Sequence, residues 1–331
     1  MTTTRPPTIG AADTSARGAA GKPSSWRMAL RSLLRDWVTL LAGIYIVVLL
    51  VSVAFPAFVS PYSAQEQNLR QALLPPLSPG DGGPPHILGT DAVGRDVLSL
   101  LIEGGRISIT VAVISVLLSG LVGVVLGLVA GYRRGWVDDL VMRVSDLQLG
   151  FPTLLIALFV LFTIGPGFAN MLLVMAILRW PVYARLTRGL VLSLREREFV
   201  EGAVALGAGP MRIIFRHILP NLVSPLVVLA TLELARMILL EATLSYLGLG
   251  IQAPLTSWGL QIEVGNEKIR TAWWLVTMPG TAMFLTALSV TLFATWLRGI
   301  TDPTDRWRWL LRGSSTHKTR GSRRRRKDES R

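Results

Sequence analysis

Arg179, Glu233 and Arg236 are ionisable side chains set inside otherwise apolar stretches. A charge in that setting is costly, and it marks either a mutual ion pair or a polar path through an apolar medium. Glu233 and Arg236 are three residues apart, so on one helix they share a face and can pair. A second group is "GTDAVGRD" at 89–96, which holds Asp91, Arg95 and Asp96. Two carboxylates this close can bind a metal or do acid–base work. The glycines and the lack of a third ligand beside them predict a self-paired structural loop instead. The third group is "REREFVEGAVALGAGPMRIIFRHILPN" at 195–221, a charged, Gly-punctuated passage between long apolar runs. Phe199, Val200, Ala203, Val204 and Leu206 recur at roughly helical spacing, while Glu196, Arg197 and Glu201 fall largely elsewhere. Gly207, Gly209 and Pro210 should stop this helix, since Gly permits positive φ and Pro has no backbone N–H. A second amphipathic turn carries Arg212 and Arg216, and Pro220 sits where a helix can begin. Such a segment either lies on a membrane surface or docks another protein and transmits its motion to the apolar runs on both sides.

Other chemistries find no support. The chain has no cysteine, which excludes disulfides, thiol catalysis and cysteine metal sites. His86, His217 and His317 are widely spaced and form no HExxH pattern, so no metal site and no catalytic residue is assigned. The four lysines, Lys22, Lys268, Lys318 and Lys327, do not sit in a phosphate-binding GxxxxGK[ST] loop. If ATP drives this protein, a separate chain binds it. The net charge of +13 is clustered beside apolar runs, which the positive-inside rule explains better than nucleic-acid binding does.

The elements that must position these groups are membrane helices. Half of the 331 residues are hydrophobic, mean hydropathy is +0.47, and charged residues make up 17% against about 25% in soluble domains. The expected fold is all-α, a polytopic membrane protein with six transmembrane helices at about 38–59, 107–130, 146–164, 168–187, 222–240 and 272–297. Small residues of the second span, Ser115, Ser119, Gly120, Gly123 and Gly127, should let another helix approach closely. Residues 1–37 form a basic arm, 38–297 the membrane domain and 298–331 a basic tail. Outer loops at 60–105 and 241–271 carry few basic residues. The arm, the 131–143 turn, the 185–217 segment and the tail carry many. Both termini and the loop at about 188–217 are therefore expected on the cytoplasmic side. Trp273 and Trp274, and Trp307 and Trp309, are expected as interfacial anchors. The polar arm that precedes the first apolar run does not resemble a cleavable signal peptide.

"EGAVALG" followed by "HILPN" resembles the EAA loop of ABC importer permeases, through Glu201, Gly202, Ala203, Gly207, Leu219 and Pro220. The resemblance extends over about residues 86–300. "HILGTDAVGRDVLSLLIEGGRIS" (86–108), "LVAGYRRGWVDDLVMRVSDLQLGFP" (128–152) and "EATLSYLGLGIQAPLTSWG" (241–259) look like the dipeptide/oligopeptide/nickel subgroup, C-type subunit. It implies a helix between spans four and five that couples the permease to an ATPase through Glu201, Gly202, Ala203, Gly207 and Pro220. It also implies a homologous B-type permease subunit, two ATPase subunits that hold ATP and Mg, and an extracytoplasmic solute-binding protein. The setting is a prokaryotic cytoplasmic membrane. No cofactor is expected on this chain, and no nucleic acid among its partners. The cargo implied is a peptide, with nickel or another small solute as the alternative. A stand-alone secondary carrier or channel is the reading from a different class. The sequence departs from the pattern where Gly202 replaces the middle Ala, where His217 and Arg236 stand, and where "LFATWLRGITDP" ends the last span.

Overall fold

The computed structural model describes residues 33–34 and 36–301. Most of the basic arm and the tail, with Trp307 and Trp309, lie outside the described residues. Among those described, the chain is helical and has no named strand, only isolated bridges at Ser78–His86 and Thr90–Asp96. Helix α1 spans Trp37–Ala54, and a single turn, α2, follows at Pro56–Val59. The polar segment after it returns to α3, Val97–Arg133, whose N-terminus is capped by Asp96. At 37 residues, α3 is about 55 Å long and overshoots a hydrocarbon core of roughly 30 Å.

Arg134 and Gly135, both at positive φ, turn the chain sharply. The expected loop at 131–143 is therefore brief, and "WVDDLVMR" opens α4, Trp136–Leu149. Asp138 and Asp139 stand in its first turn, where acidic groups favour the helix dipole. Helix α5, Thr153–Ile164, follows at an angle of 89° to α4. Pro152 precedes it, and α6 runs from Phe168 to Arg195.

The charged passage folds as α7, Glu198–Ala205, and α8, Pro210–Ile213. A π-turn at Ile214–Ile218 leads directly into α9, Leu219–Tyr246. The wider turn has a covalent cause: Pro220 has no N–H to bond back into the preceding turn, so the ladder loosens there. The expected loop at 241–271 is partly helical, since α9 continues to Tyr246 and α10 occupies Trp258–Asn266. Helix α11, Trp274–Thr301, completes the described chain.

Among the described residues, four helical stretches are long and apolar enough to span a bilayer: Trp37–Ala54, Val97–Arg133, Pro210–Tyr246 and Trp274–Gly299. A fifth crossing arises if α4 and α5 form one broken span. Taken alone, α5 has 12 residues and reaches only about 18 Å. Helix α6 is outside this set, because Arg179, Arg185, Arg188 and Arg195 interrupt its apolar sequence.

The tightest packing joins α3 to α6. Gly123, Gly127 and Gly131 of α3 lie against Trp180, Tyr183, Ala184, Thr187 and Val191. A Cβ on Gly127 would sit 2.5 Å from the Ala184 carbonyl oxygen, closer than packing allows. The stripe of small residues lets two helices meet backbone to backbone, as expected from their spacing. Met171, Val174, Met175 and Leu178 of α6 continue the buried core with Val111, Ala112 and Val116 of α3.

Candidate functional site

The charged loop is rooted in the protein by its apolar side. Val200, with 1% of its surface exposed, packs in a cluster with Leu128 of α3, Val191 of α6, Ile213, Ile218, and Leu222 of α9. Helix α7 ends in a Schellman motif. Ala208 N–H donates to the Ala203 carbonyl at 3.0 Å, and Gly207 N–H donates to Val204 at 2.9 Å. Gly207 adopts φ +80°, a conformation that only glycine takes without penalty. Gly202 lies mid-helix with open space where its Cβ would be. Glu201 and Pro220 are exposed, and Ala203 is half-buried.

The outward side of this hairpin carries apolar side chains beside the exposed charges of Glu198, Glu201, Arg212 and Arg216. Phe199, Val204, Leu206, Met211 and Phe215 are all exposed, Leu206 by 90%. Ion pairs brace the helices beneath. Arg188 of α6 grips Asp138 of α4 with two N–H groups, one to Oδ2 at 2.6 Å. Arg185 of α6 bonds to Asp146 of α4, and Arg134 reaches Glu196 at 2.8 Å. Arg195 donates to the Tyr132 carbonyl at 2.7 Å and lies over that residue's ring.

The three charges set in apolar stretches come together. Glu233, 0% exposed, accepts from Arg179 Nε at 2.7 Å through Oε2 and from Arg236 Nη1 at 3.1 Å through Oε1. The sequence foresees the pair with Arg236 but misses Arg179, whose partner lies on another helix. A second buried carboxyl, Glu241, accepts from Ser245 Oγ at 2.7 Å, and the side chains of Ser108 and Ser257 also face it. Each of these serines also accepts a backbone N–H of the return segment: Ser245 from Ile251, Ser108 from Trp258 and Ser257 from Leu260. One acid thus gathers α3, α9 and α10. Trp258 fills the space beside Gly105, and its Nε1 donates to the Leu101 carbonyl at 2.9 Å.

The "GTDAVGRD" loop is self-paired, as expected. Asp91 accepts from the backbone N–H groups of Val93 and Arg95 and from Arg95 Nε at 2.7 Å. Asp96 accepts from Ser99. Against the expectation that no further ligand lies beside this loop, one histidine reaches it. His86 Nδ1 lies 2.9 Å from Asp96 Oδ1, and its ring stacks on Tyr62. Partial burial, and behind it the charges of Asp96 and Glu66, push the Tyr62 phenol above its usual range. Among the described residues, no three His, Asp or Glu side chains gather as a metal site. Trp274 also departs from expectation: it is buried and its Nε1 donates to the Thr90 carbonyl at 3.1 Å. It anchors the 89–96 loop to α11 instead of joining an interfacial belt. Its neighbour Trp273 stays exposed.

Residues 123–304 match the family of binding-protein-dependent transport system inner membrane components. Residues 24–76 match the N-terminal TM domain of oligopeptide transport permease C. The chain belongs to the binding-protein-dependent transport family. It is a permease subunit of an ABC importer and a multi-pass inner membrane protein. It has no catalytic role of its own, because ATP is hydrolysed on partner chains in this family.

Among this permease's relatives is the di/tripeptide transport system permease protein DppC of Pseudomonas aeruginosa. It is 40% identical over 265 residues, covering 80% of this chain and 87% of the relative. The glutathione transport system permease protein GsiD of Pectobacterium atrosepticum is 38% identical over 281 residues, 84% of this chain and 91% of its own. The dipeptide transport system permease protein DppC of Haemophilus influenzae is 38% identical over 258 residues, with 78% and 87% covered.

Proposed function

We propose that this chain is the C-type permease subunit of a peptide importer and that α7, α8 and the turns beside them form its coupling element. In this reading two ATPase subunits carry ATP and Mg, and one of them seats the loop bearing Glu201, Gly202, Ala203, Gly207 and Pro220. A homologous B-type permease subunit supplies the other half of the pathway, and a solute-binding protein delivers cargo to the outer segments. The observation that carries the reading is the two-sided hairpin. Val200 and Ile213 root it between α3, α6 and α9, while Leu206, Met211 and Phe215 stay uncovered. Exposed apolar side chains clustered this way fit a protein partner.

Six crossings, with the membrane domain at 38–297 and both termini cytoplasmic, fit the ion pairs as well as the charge distribution. The arginines that make α6 look unsuited to lipid have partners: Arg179 holds Glu233, Arg185 holds Asp146 and Arg188 holds Asp138. Paired charges are tolerated inside a membrane domain where isolated ones are not. Arg179, Glu233 and Arg236 then stand beside the translocation pathway. ATP-driven closure of the motor subunits would push on α7. The shared cluster around Val200 would pass that displacement to α6 and α9, so that the pathway opens alternately to each side.

The native chain has no cysteine, so Ala203→Cys introduces a unique attachment point. In membranes holding the assembled transporter, a short crosslinker there is expected to capture an ATPase subunit. Crosslinks only to lipid or to this chain would refute the coupling assignment.

A further inference from the structure

We propose that Arg236 is an anion-recognition residue of the pathway and takes the carboxylate of the passing solute. This role rests on the peptide-permease reading and adds the chemistry by which the path would select. Glu233 is fully buried and spends both oxygens on arginines. It is therefore closed to a cationic amine. One carboxylate against two guanidinium groups leaves the triad with a net charge of +1.

That charge is presented by Arg236. Its side chain is 70% exposed and uses a single N–H on Glu233, whereas that of Arg179 is only 13% exposed. Guanidinium offers five N–H donors in a planar fork that matches a carboxylate. The bond to Glu233 fixes the arm and leaves the rest of the fork open.

The location also favours a passing ligand. Arg236 is ten residues before Tyr246, where α9 ends, or about 15 Å along the axis. That places it inside the apolar stretch of α9, four residues before the end of the span expected at 222–240. An exposed guanidinium there is costly against lipid and needs water or an anion. The exposed stripe that continues from it holds Leu239, Thr243 and Tyr246, two of them polar, as a wetted wall requires.

The test uses the complete transporter with its receptor protein in proteoliposomes. Uptake of dialanine and of dialanine amide is compared for the wild-type, Arg236→Lys and Arg236→Gln complexes, with ATP hydrolysis measured alongside. Loss of a charge-assisted bond should slow dialanine uptake by about tenfold in Arg236→Gln, and Arg236→Lys should recover most of it. The amide, which lacks the anion, should move equally in the wild type and Arg236→Gln. An amide carried by neither complex leaves the Lys against Gln comparison to decide. Equal dialanine uptake in the wild type and Arg236→Gln overturns the inference, as does an equal loss in Lys and Gln or an equal fall for both solutes. The last result would mark an assembly contact with the partner subunit. A wild-type complex that moves no dipeptide sinks the peptide reading and this inference with it.

Discussion

Arg179 and Glu233 are 54 residues apart in sequence, on α6 and α9, and meet at 2.7 Å between Nε and Oε2. The bond ties together the two helices that flank the charged loop. Arg179→Gln would leave the fully buried Glu233 with only its long, exposed arm to Arg236. Breaking a buried pair from one side costs about 3 kcal/mol. The purified complex should therefore unfold at a clearly lower temperature in a detergent melt. Arg236→Gln, at an exposed position, should leave the melt nearly unchanged.

The two loop glycines should respond to alanine with opposite signs. Gly202 sits mid-helix with free space around its missing side chain. Gly202→Ala should stabilise α7 by about 1 kcal/mol. Gly207, at φ +80°, should lose a similar amount as alanine, about 1 kcal/mol. Hydrogen exchange across 198–208 reads both effects, with slower exchange in the first variant and faster in the second. Movement in the same direction would contradict the role of the Schellman turn.

Coupling should fail where the hairpin is rooted. Val200→Asp buries a carboxylate in the cluster with Leu128, Val191 and Leu222, an environment without a partner for it. Glu201→Lys reverses the charge of the exposed loop face, and Gly207→Pro demands a negative φ that the turn does not have. All three variants should reach the membrane and lose ATP-driven uptake. Normal uptake in Glu201→Lys and Gly207→Pro, with the ATPase still bound, would remove the loop from the mechanism.

Gly127→Leu should break the contact of α3 with α6. No side chain fits where a Cβ would lie 2.5 Å from the Ala184 carbonyl. Overpacking of this kind costs about 1–3 kcal/mol or forces the helices apart. Yield of folded protein in size-exclusion chromatography should fall sharply. Gly120→Ala, which meets Tyr183 only at 3.5 Å, serves as the tolerated control.

Glu241→Gln should be well tolerated, with a stability change below about 1 kcal/mol. The amide oxygen can still accept from Ser245, and among the described residues no cation pairs with this carboxyl. Glu241→Leu removes the acceptor that gathers three serines and should loosen the 251–260 segment. Limited proteolysis of that segment in the two variants separates these outcomes.

Much of the protein was legible in one dimension. Hydropathy reports the solvent around each stretch, so the apolar runs, the all-helical class and the small-residue face of α3 could be read from residue type and spacing. The helix stop at Gly207 and the pairing of Glu233 with Arg236 could also be read, because both are set within a few residues. The bend between α4 and α5, the helix at Trp258–Asn266 and the burial of Trp274 were not legible. They depend on what lies across the fold, and composition carries no record of that.

What sequence decided alone was therefore local: where the chain is apolar, where a turn is permitted and which charges are too costly to stand alone. Tertiary structure decided which partner each charge receives. Arg179 looks like a liability until Glu233 arrives from α9, and His86 looks unattached until the return to α3 places Asp96 beside it. Buried ion pairs and carboxyl hubs act over a few ångströms in space, and only the packed chain brings residues 54 or 150 positions apart to that range.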